Sequence, residues 1–136
     1  MPSLEPFCSI TGKLDMSVIG QTPGGMRIDF PFNGSASSTY WDGPRPVTGT
    51  DYVTVRSDGH MDLDIHGVIG EGRQKVSYKA IGVSLAGQQR GEAHPRELIK
   101  FETADEALGF LNTSIAVGLG SAAEGVLTLE IYLIVD

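Results

Sequence analysis

The sequence predicts an all-β fold, mostly an antiparallel β-barrel with one short α-helix near residues 104–111, and three observations predict it. Apolar and polar residues alternate from Asp51 to His66 on both sides of Asp58-Gly59, the pattern of a β-hairpin. Eighteen glycines and seven prolines are spread along the chain rather than gathered in one tract, as many short strands and tight turns require. Strand-like segments follow one another at short spacing, and only one segment carries a helix-start signature. Closing such a sheet removes the edges that an open sheet must protect. About eight to ten strands of this length would enclose a lumen that holds a small ligand. The 136 residues are read as a single barrel domain, 1–136, of a size that buries about two-thirds of its unfolded surface.

The first strand is expected over Cys8–Leu14, continuing toward Met16–Ile19, and the turn cluster Gly20–Gly25 then reverses the chain. Met26, Ile28 and Phe30 fall on one face of the next strand, with Arg27 and Asp29 on the other. Asn33–Ser38 is rich in small residues and suggests close backbone packing or a flexible rim. Trp41–Pro46 reads as a loop or bulged strand edge leading into the Asp51 hairpin. In that hairpin Asp51, Val53 and Val55 share one parity, and Tyr52, Thr54 and Arg56 the other. Across the turn, Met61, Leu63 and Ile65 oppose Asp62, Asp64 and His66. One face is therefore a coherent polar surface, and whether it meets water or a barrel interior decides the function of its residues.

Val76–Leu85 is expected to pair with the Met61 strand through the Gly70–Gly72 turn, whereas Gly87–Pro95 reads as polar and mobile. Phe101–Thr103 is a short strand entering the helix, with Thr103 as N-cap and Glu106 as its capping-box partner. Ala107, Leu108 and Leu111 or Phe110 form the apolar side of that helix. Strands over Ser114–Gly120 and Val126–Val135 complete the set. In the last, Leu127, Leu129, Ile131 and Leu133 share a face opposite Thr128, Glu130, Tyr132 and Ile134.

A formal net charge of −7 argues against a nucleic-acid partner, because phosphate contacts need clustered Lys and Arg. No apolar run approaches the roughly 18 residues of a membrane-spanning helix. The segment Met1–Pro6 lacks the pattern of a signal peptide, so a cytoplasmic, non-membrane protein is expected. The single Cys8 reads as a buried thiol. Three histidines without paired spacing predict no metal site, and the Gly-rich segments lack the ending of a phosphate loop, so no cofactor is expected.

The segments Gly20-Gln-Thr-Pro-Gly-Gly-Met-Arg27, Gly49-Thr-Asp51, Arg56-Ser-Asp-Gly59, Phe101-Glu-Thr103 and Leu111-Asn112 through Gly118-Leu-Gly120 run in an order that resembles the domain-of-unknown-function 3237 family. The resemblance covers nearly the whole chain, although no single motif in it is specific. It implies a compact β-barrel with a small-molecule site inside, at which Arg27, Asp51 and Arg56 are the motif-matched positions. Some fungal proteins that resemble the family act as cyclases or isomerases in natural-product pathways, including ring closure of chalcone-like phenolic enones. Tyr52 stands where the family commonly has Trp, and Asn33-Gly34 where it commonly has a Gly pair, which puts the pocket's shape in doubt.

The residues themselves nominate a site. Arg27 and Arg56 would bind a phenolate, enolate or carboxylate by paired hydrogen bonds if they faced a cavity; outside it they would pair with nearby aspartates. Asp51 would serve as a general base if burial raised its pKa, with Asp62 or Asp64 as lesser candidates. His66 ends the polar face of its strand, and an imidazole suits proton transfer. Trp41, Tyr78 and Tyr132 would stack on or donate to an aromatic substrate, unless they are core. The leading expectation is a cofactor-independent cyclase or isomerase with Arg27, Asp51, Arg56 and His66 catalytic. Its rivals are a non-catalytic small-molecule-binding barrel and a purely structural dimer; a homodimer through apolar outer faces is a separate possibility.

Overall fold

Val53 and Val55 alternate with Tyr52 and Thr54, and a wall built on that alternation must present one parity to a core and the other to water. The computed structural model describes residues 1–136. It contains nine strands: β1 Ser3–Leu14, β2 Ser17–Thr22, β3 Gly25–Ser37, β4 Arg45–Val55, β5 Met61–Ile69, β6 Val76–Ala86, β7 Ala93–Thr103, β8 Ile115–Ala123 and β9 Val126–Val135. Every pairing is antiparallel, and from β2 to β9 each strand pairs with its neighbour in sequence. β1 joins the two ends, pairing with β9 on one side and with the second half of β3 on the other. Eight strands thus close the wall. β2 prolongs the line of β1 beyond a break at Asp15 and Met16, held only by β3.

The Asp58-Gly59 signal marks the β4–β5 hairpin. Gly59 adopts φ 88°, which a residue with a Cβ resists, and its N–H donates to the Arg56 carbonyl, while the Arg56 N–H donates to the His60 carbonyl. Asn33–Ser37 belongs to β3 rather than to a rim, and its small residues serve close packing. A Cβ on Gly34 would overlap the Thr11 carbonyl oxygen and the Gly12 Cα across the closing seam. Because that obstacle is backbone, Gly34→Ala is expected to destabilise the barrel by about 1–3 kcal/mol, measurable as a lowered urea midpoint at unchanged slope.

β7 begins at Ala93, so the polar stretch Gly87–Pro95 is loop only in its first part. The expected short helix is present, over Glu106–Thr113 rather than 104–111, and is wound as 3₁₀ turns that break at Leu108 rather than as an α-helix. Asp105, not Thr103, caps it, accepting from the Ala107 N–H at 3.1 Å. The Thr103 hydroxyl is engaged elsewhere: it donates to the Lys75 carbonyl at 2.7 Å and accepts the Asp105 N–H. A further 3₁₀ turn, Gly72–Gln74, joins β5 to β6. No helix is long and apolar enough to cross a membrane.

The helix buries Leu108 and Leu111 under the end of the barrel where the β3–β4 connection also lies. There Phe7 packs edge-on against Trp41 and Phe101, at centroid distances of 5.7 and 5.4 Å. Phe7 reaches inward because the β1–β9 register shifts between Pro6 and Cys8, which turns two successive side chains, Phe7 and Cys8, into the core. Burying an aromatic ring of this size contributes about 1.5–3 kcal/mol, so this end is a packed floor. The opposite end carries the β4–β5, β6–β7 and β8–β9 turns and is not plugged in this way.

Candidate functional site

Two strands make room inside the barrel. The inward column of β6 reads Ala80, Gly82, Ser84 and that of β8 reads Ala116, Gly118, Ala122, so little side-chain volume enters from these walls. The result is a cavity of about 620 Å³, within the range of small-molecule sites. Its walls are mostly apolar, including Ile28, Phe30, Phe32, Leu63, Ile65 and Leu129, and its rim is formed by Asp15, Met16, the Gly87–Glu92 loop, Glu124 and Gly125. Four polar side chains from the strands enter it: Asp51 from β4, Tyr78 and Ser84 from β6 and Glu97 from β7. The only cation along the lining is Arg90, in the rim loop.

Asp51 shares the parity of Val53 and points inward for that reason. Removal from water pushes its carboxyl up to about 7; the Asp64 backbone N–H, donating to Oδ1 at 3.2 Å, pulls the other way, and the Asp64 charge adds to the rise. Glu97 is buried more deeply, at 7% exposure, and desolvation first, then the Asp51 charge, pushes it up to about 8. Its register partners on β6 and β8 are both glycines, Gly82 and Gly118, which leaves the carboxyl flanked by space rather than side chains. Glu97 Oε1 and Ser84 Oγ are buried and have no hydrogen-bond partner. Tyr78 sits lower, its ring lying where a Cβ on Gly67 would be. Burial, then the charges of Glu97, Cys8 and Asp51, keep its phenol protonated. Desolvation likewise pushes the Cys8 thiol up to about 12, with the Glu130 charge adding to it. The lumen thus offers proton donors and a carboxyl pair near neutrality, a combination suited to moving a proton within an apolar chamber.

Of the candidates read from the sequence, the structure brings Asp51 and Tyr78 together here. The polar face of the Asp51 hairpin meets water. Arg56 is exposed and pairs with Asp58 at 2.6 Å and Asp62 at 3.5 Å. His66 is exposed, 3.3 Å from Asp64, with its ring edge-on to Tyr52. Arg27 lies on the outer face of β3, donating to the Val53 carbonyl at 3.1 Å and to Asp29 at 3.0 Å. Trp41 belongs to the floor, where its indole donates to the Ala36 carbonyl at 3.2 Å and Arg45 lies over its ring. Tyr132 stands on the outer face of β9, half-buried between Pro6 and Val117. Outward parity is the common reason for Arg27, Arg56, His66 and Tyr132.

Glu97 and Ser84 were not singled out from the sequence. The signal for Glu97 was parity: it alternates in phase with Pro95, Ile99 and Phe101, all buried, and out of phase with Arg96, Leu98 and Lys100. Ser84 follows Ala80 and Gly82 in a column of small residues.

Residues 2–134 match the family described as "Protein of unknown function (DUF3237)". The chain belongs to this family. Its barrel is similar to that of a protein of unknown function from Clostridium acetobutylicum ATCC 824, at 22% identity and a TM-score of 0.86, covering 99% of this chain and 98% of that one. A β-barrel-like protein from Acinetobacter baumannii AYE gives 16% identity and a TM-score of 0.84, covering 99% and 97%. An enzyme from Penicillium herquei gives 19% identity and a TM-score of 0.66, covering 98% and 95%. At these identities the likeness shows a shared fold. No curated protein matches the chain.

Proposed function

We propose that this protein is a cofactor-independent cyclase or isomerase acting on a small aromatic or polyketide-like molecule held in the lumen. The observation that carries the reading is the pair of inward carboxyls, Asp51 and Glu97, in an apolar cavity of about 620 Å³. The fold shared with an enzyme from Penicillium herquei supports it further.

The reaction that fits is intramolecular oxa-Michael closure of a chalcone-like phenolic enone. The Asp51 carboxylate takes the phenol proton, the oxygen bonds to the β-carbon, and the electrons of the alkene move onto the enone oxygen. The Glu97 carboxyl, still protonated near neutrality, donates a hydrogen bond to that enolate oxygen, and Tyr78 stands as a further donor. The enolate α-carbon then takes a proton back from Asp51, so that product and substrate are isomers. The walls supply the rest by holding the chain in its folded, reactive conformer. The sequence assigns the enolate to Arg27 or Arg56 and the proton relay to Asp51 or His66; in this reading Asp51 keeps the relay, and neutral donors inside the lumen take the place of the outward Arg27 and Arg56.

Incubation with a panel of 2′-hydroxychalcones and related phenolic enones, followed by chiral chromatography, is expected to show ring closure faster than in buffer and with one enantiomer in excess. Rates equal to buffer across the panel would remove this substrate class. The mostly apolar lining also favours a second reading, a barrel that binds such molecules without turning them over. Retention of the panel compounds with no product would select it.

A further inference from the structure

Two polar atoms in the lumen lack partners, and they lie on adjacent strands. Ser84 is 2% exposed and Glu97 7% exposed, and both face the cavity. In the β6–β7 register Ser84 is opposite Pro95 and Gly82 is opposite Glu97, so the two side chains are diagonal neighbours on the inner face. Such neighbours stand about 7 Å apart at the backbone, within reach of a Glu side chain. Gly82 and Pro95, which complete that square, contribute no polar side chain. A buried hydroxyl and carboxyl left unmet are unfavourable unless something bonds to them.

We infer that the lumen selects an uncharged ligand by its carbonyl oxygen, which is clasped between the Ser84 hydroxyl and the Glu97 carboxyl. The inference rests on the lumen being the ligand site, and it names the ligand's chemistry. A ketone oxygen has two lone pairs and accepts from both groups at once. A hydrocarbon of the same shape fills the apolar walls and leaves both groups unmet. A carboxylate ligand brings a negative charge into a chamber that already holds Asp51 and Glu97 and whose only lining cation, Arg90, is at the rim. The order of affinity follows: aryl ketone above hydrocarbon, and both above carboxylate.

The test uses three rod-shaped probes, trans-chalcone, trans-stilbene and trans-stilbene-4-carboxylate, titrated calorimetrically into the full chain at about pH 6.5. Trans-chalcone lacks the ortho hydroxyl, so it cannot close a ring and reports binding alone. It is expected to bind about tenfold more tightly than stilbene, the worth of one or two neutral hydrogen bonds, with the carboxylate weakest. Ser84→Ala and Glu97→Leu remove that preference and leave stilbene affinity within about twofold, which also shows that both variants fold. Glu97→Gln keeps a donor and keeps the preference. The infrared carbonyl band of bound chalcone shifts to lower frequency in the wild type and moves back in Ser84→Ala.

Equal affinities for chalcone and stilbene, or a carboxylate bound as tightly as the ketone, would overturn the clasp while leaving the lumen a binding site. Failure of all three to bind would overturn the clasp and the lumen reading together. Chalcone held at this clasp by a barrel that closes no hydroxychalcone ring would support the clasp and retire the cyclase.

Discussion

Raising the pH from about 5.5 to about 8.5 is expected to lower the thermal unfolding midpoint, and Glu97→Gln is expected to remove most of that dependence. Both lumen carboxyls hold their proton more tightly in the barrel than in the unfolded chain, whose values are near 3.8 for Asp51 and 4.5 for Glu97. Between those values and the folded ones the native state binds more protons than the unfolded state, so stability falls as pH rises. The contribution is complete below about pH 4 and is lost as the pH passes about 7 for Asp51 and about 8 for Glu97. Each unit is worth about 1.4 kcal/mol, so Glu97 accounts for a loss on the order of several kcal/mol and a midpoint change on the order of 10 °C. Asp58 acts in the opposite sense, held below its usual range chiefly by the His60 N–H, but its window lies below pH 4. Scanning calorimetry of the two proteins across this range checks the expectation. A wild-type midpoint that stays level or rises would contradict the burial of Glu97 as a protonated acid.

The second large effect concerns turnover. For a hydroxychalcone that the wild type closes, Asp51→Asn is expected to lower kcat by about 10²–10⁴-fold, the usual worth of a positioned base. Chalcone affinity should change little, because the amide keeps the shape of the site. His66→Gln and Arg56→Ala should leave kcat within about twofold, since their side chains pair on the outer surface with Asp64 and with Asp58 and Asp62. The wild-type rate should rise as pH approaches 7, where Asp51 ionises, and fall beyond 8, where Glu97 loses its proton. Steady-state kinetics with parallel calorimetry separates the two roles. Full activity in Asp51→Asn, or an equal loss in His66→Gln, would move the base elsewhere.

The hairpin, the parity along each strand and the closed antiparallel wall were legible because period-2 alternation and turn chemistry are local properties of the chain. Asp51 was legible as well, since it shares the parity of Val53 and Val55. What alternation does not state is which face is inner. In the Asp51 hairpin both faces carry charge, and the apolar Val53 and Val55, with Met61, Leu63 and Ile65 across the turn, are what indicate that the face of Arg56 and His66 is the wet one. Glu97 was hidden for a different reason. The charged string Arg96-Glu97 follows a polar loop, and Pro95, unusual within a strand, disguises the start of β7. The short helix was legible but capped from the wrong residue, because the Thr103 hydroxyl is drawn to Lys75, a contact that depends on strand pairing and not on local sequence.

The way β1 joins the sheet also shapes how the molecule assembles. Every other rung links neighbours along the chain, so hairpins from β2 to β9 form at the modest entropic cost of short loops. β1 finds one partner early, in β3, but its other partner is the last strand: Ser3 lies beside Val135 and Ile10 beside Leu129. Until β9 is present the β1–β9 seam has no second side, and the wall cannot close. Closure therefore depends on this one junction, the pairing of the two strands most distant in sequence.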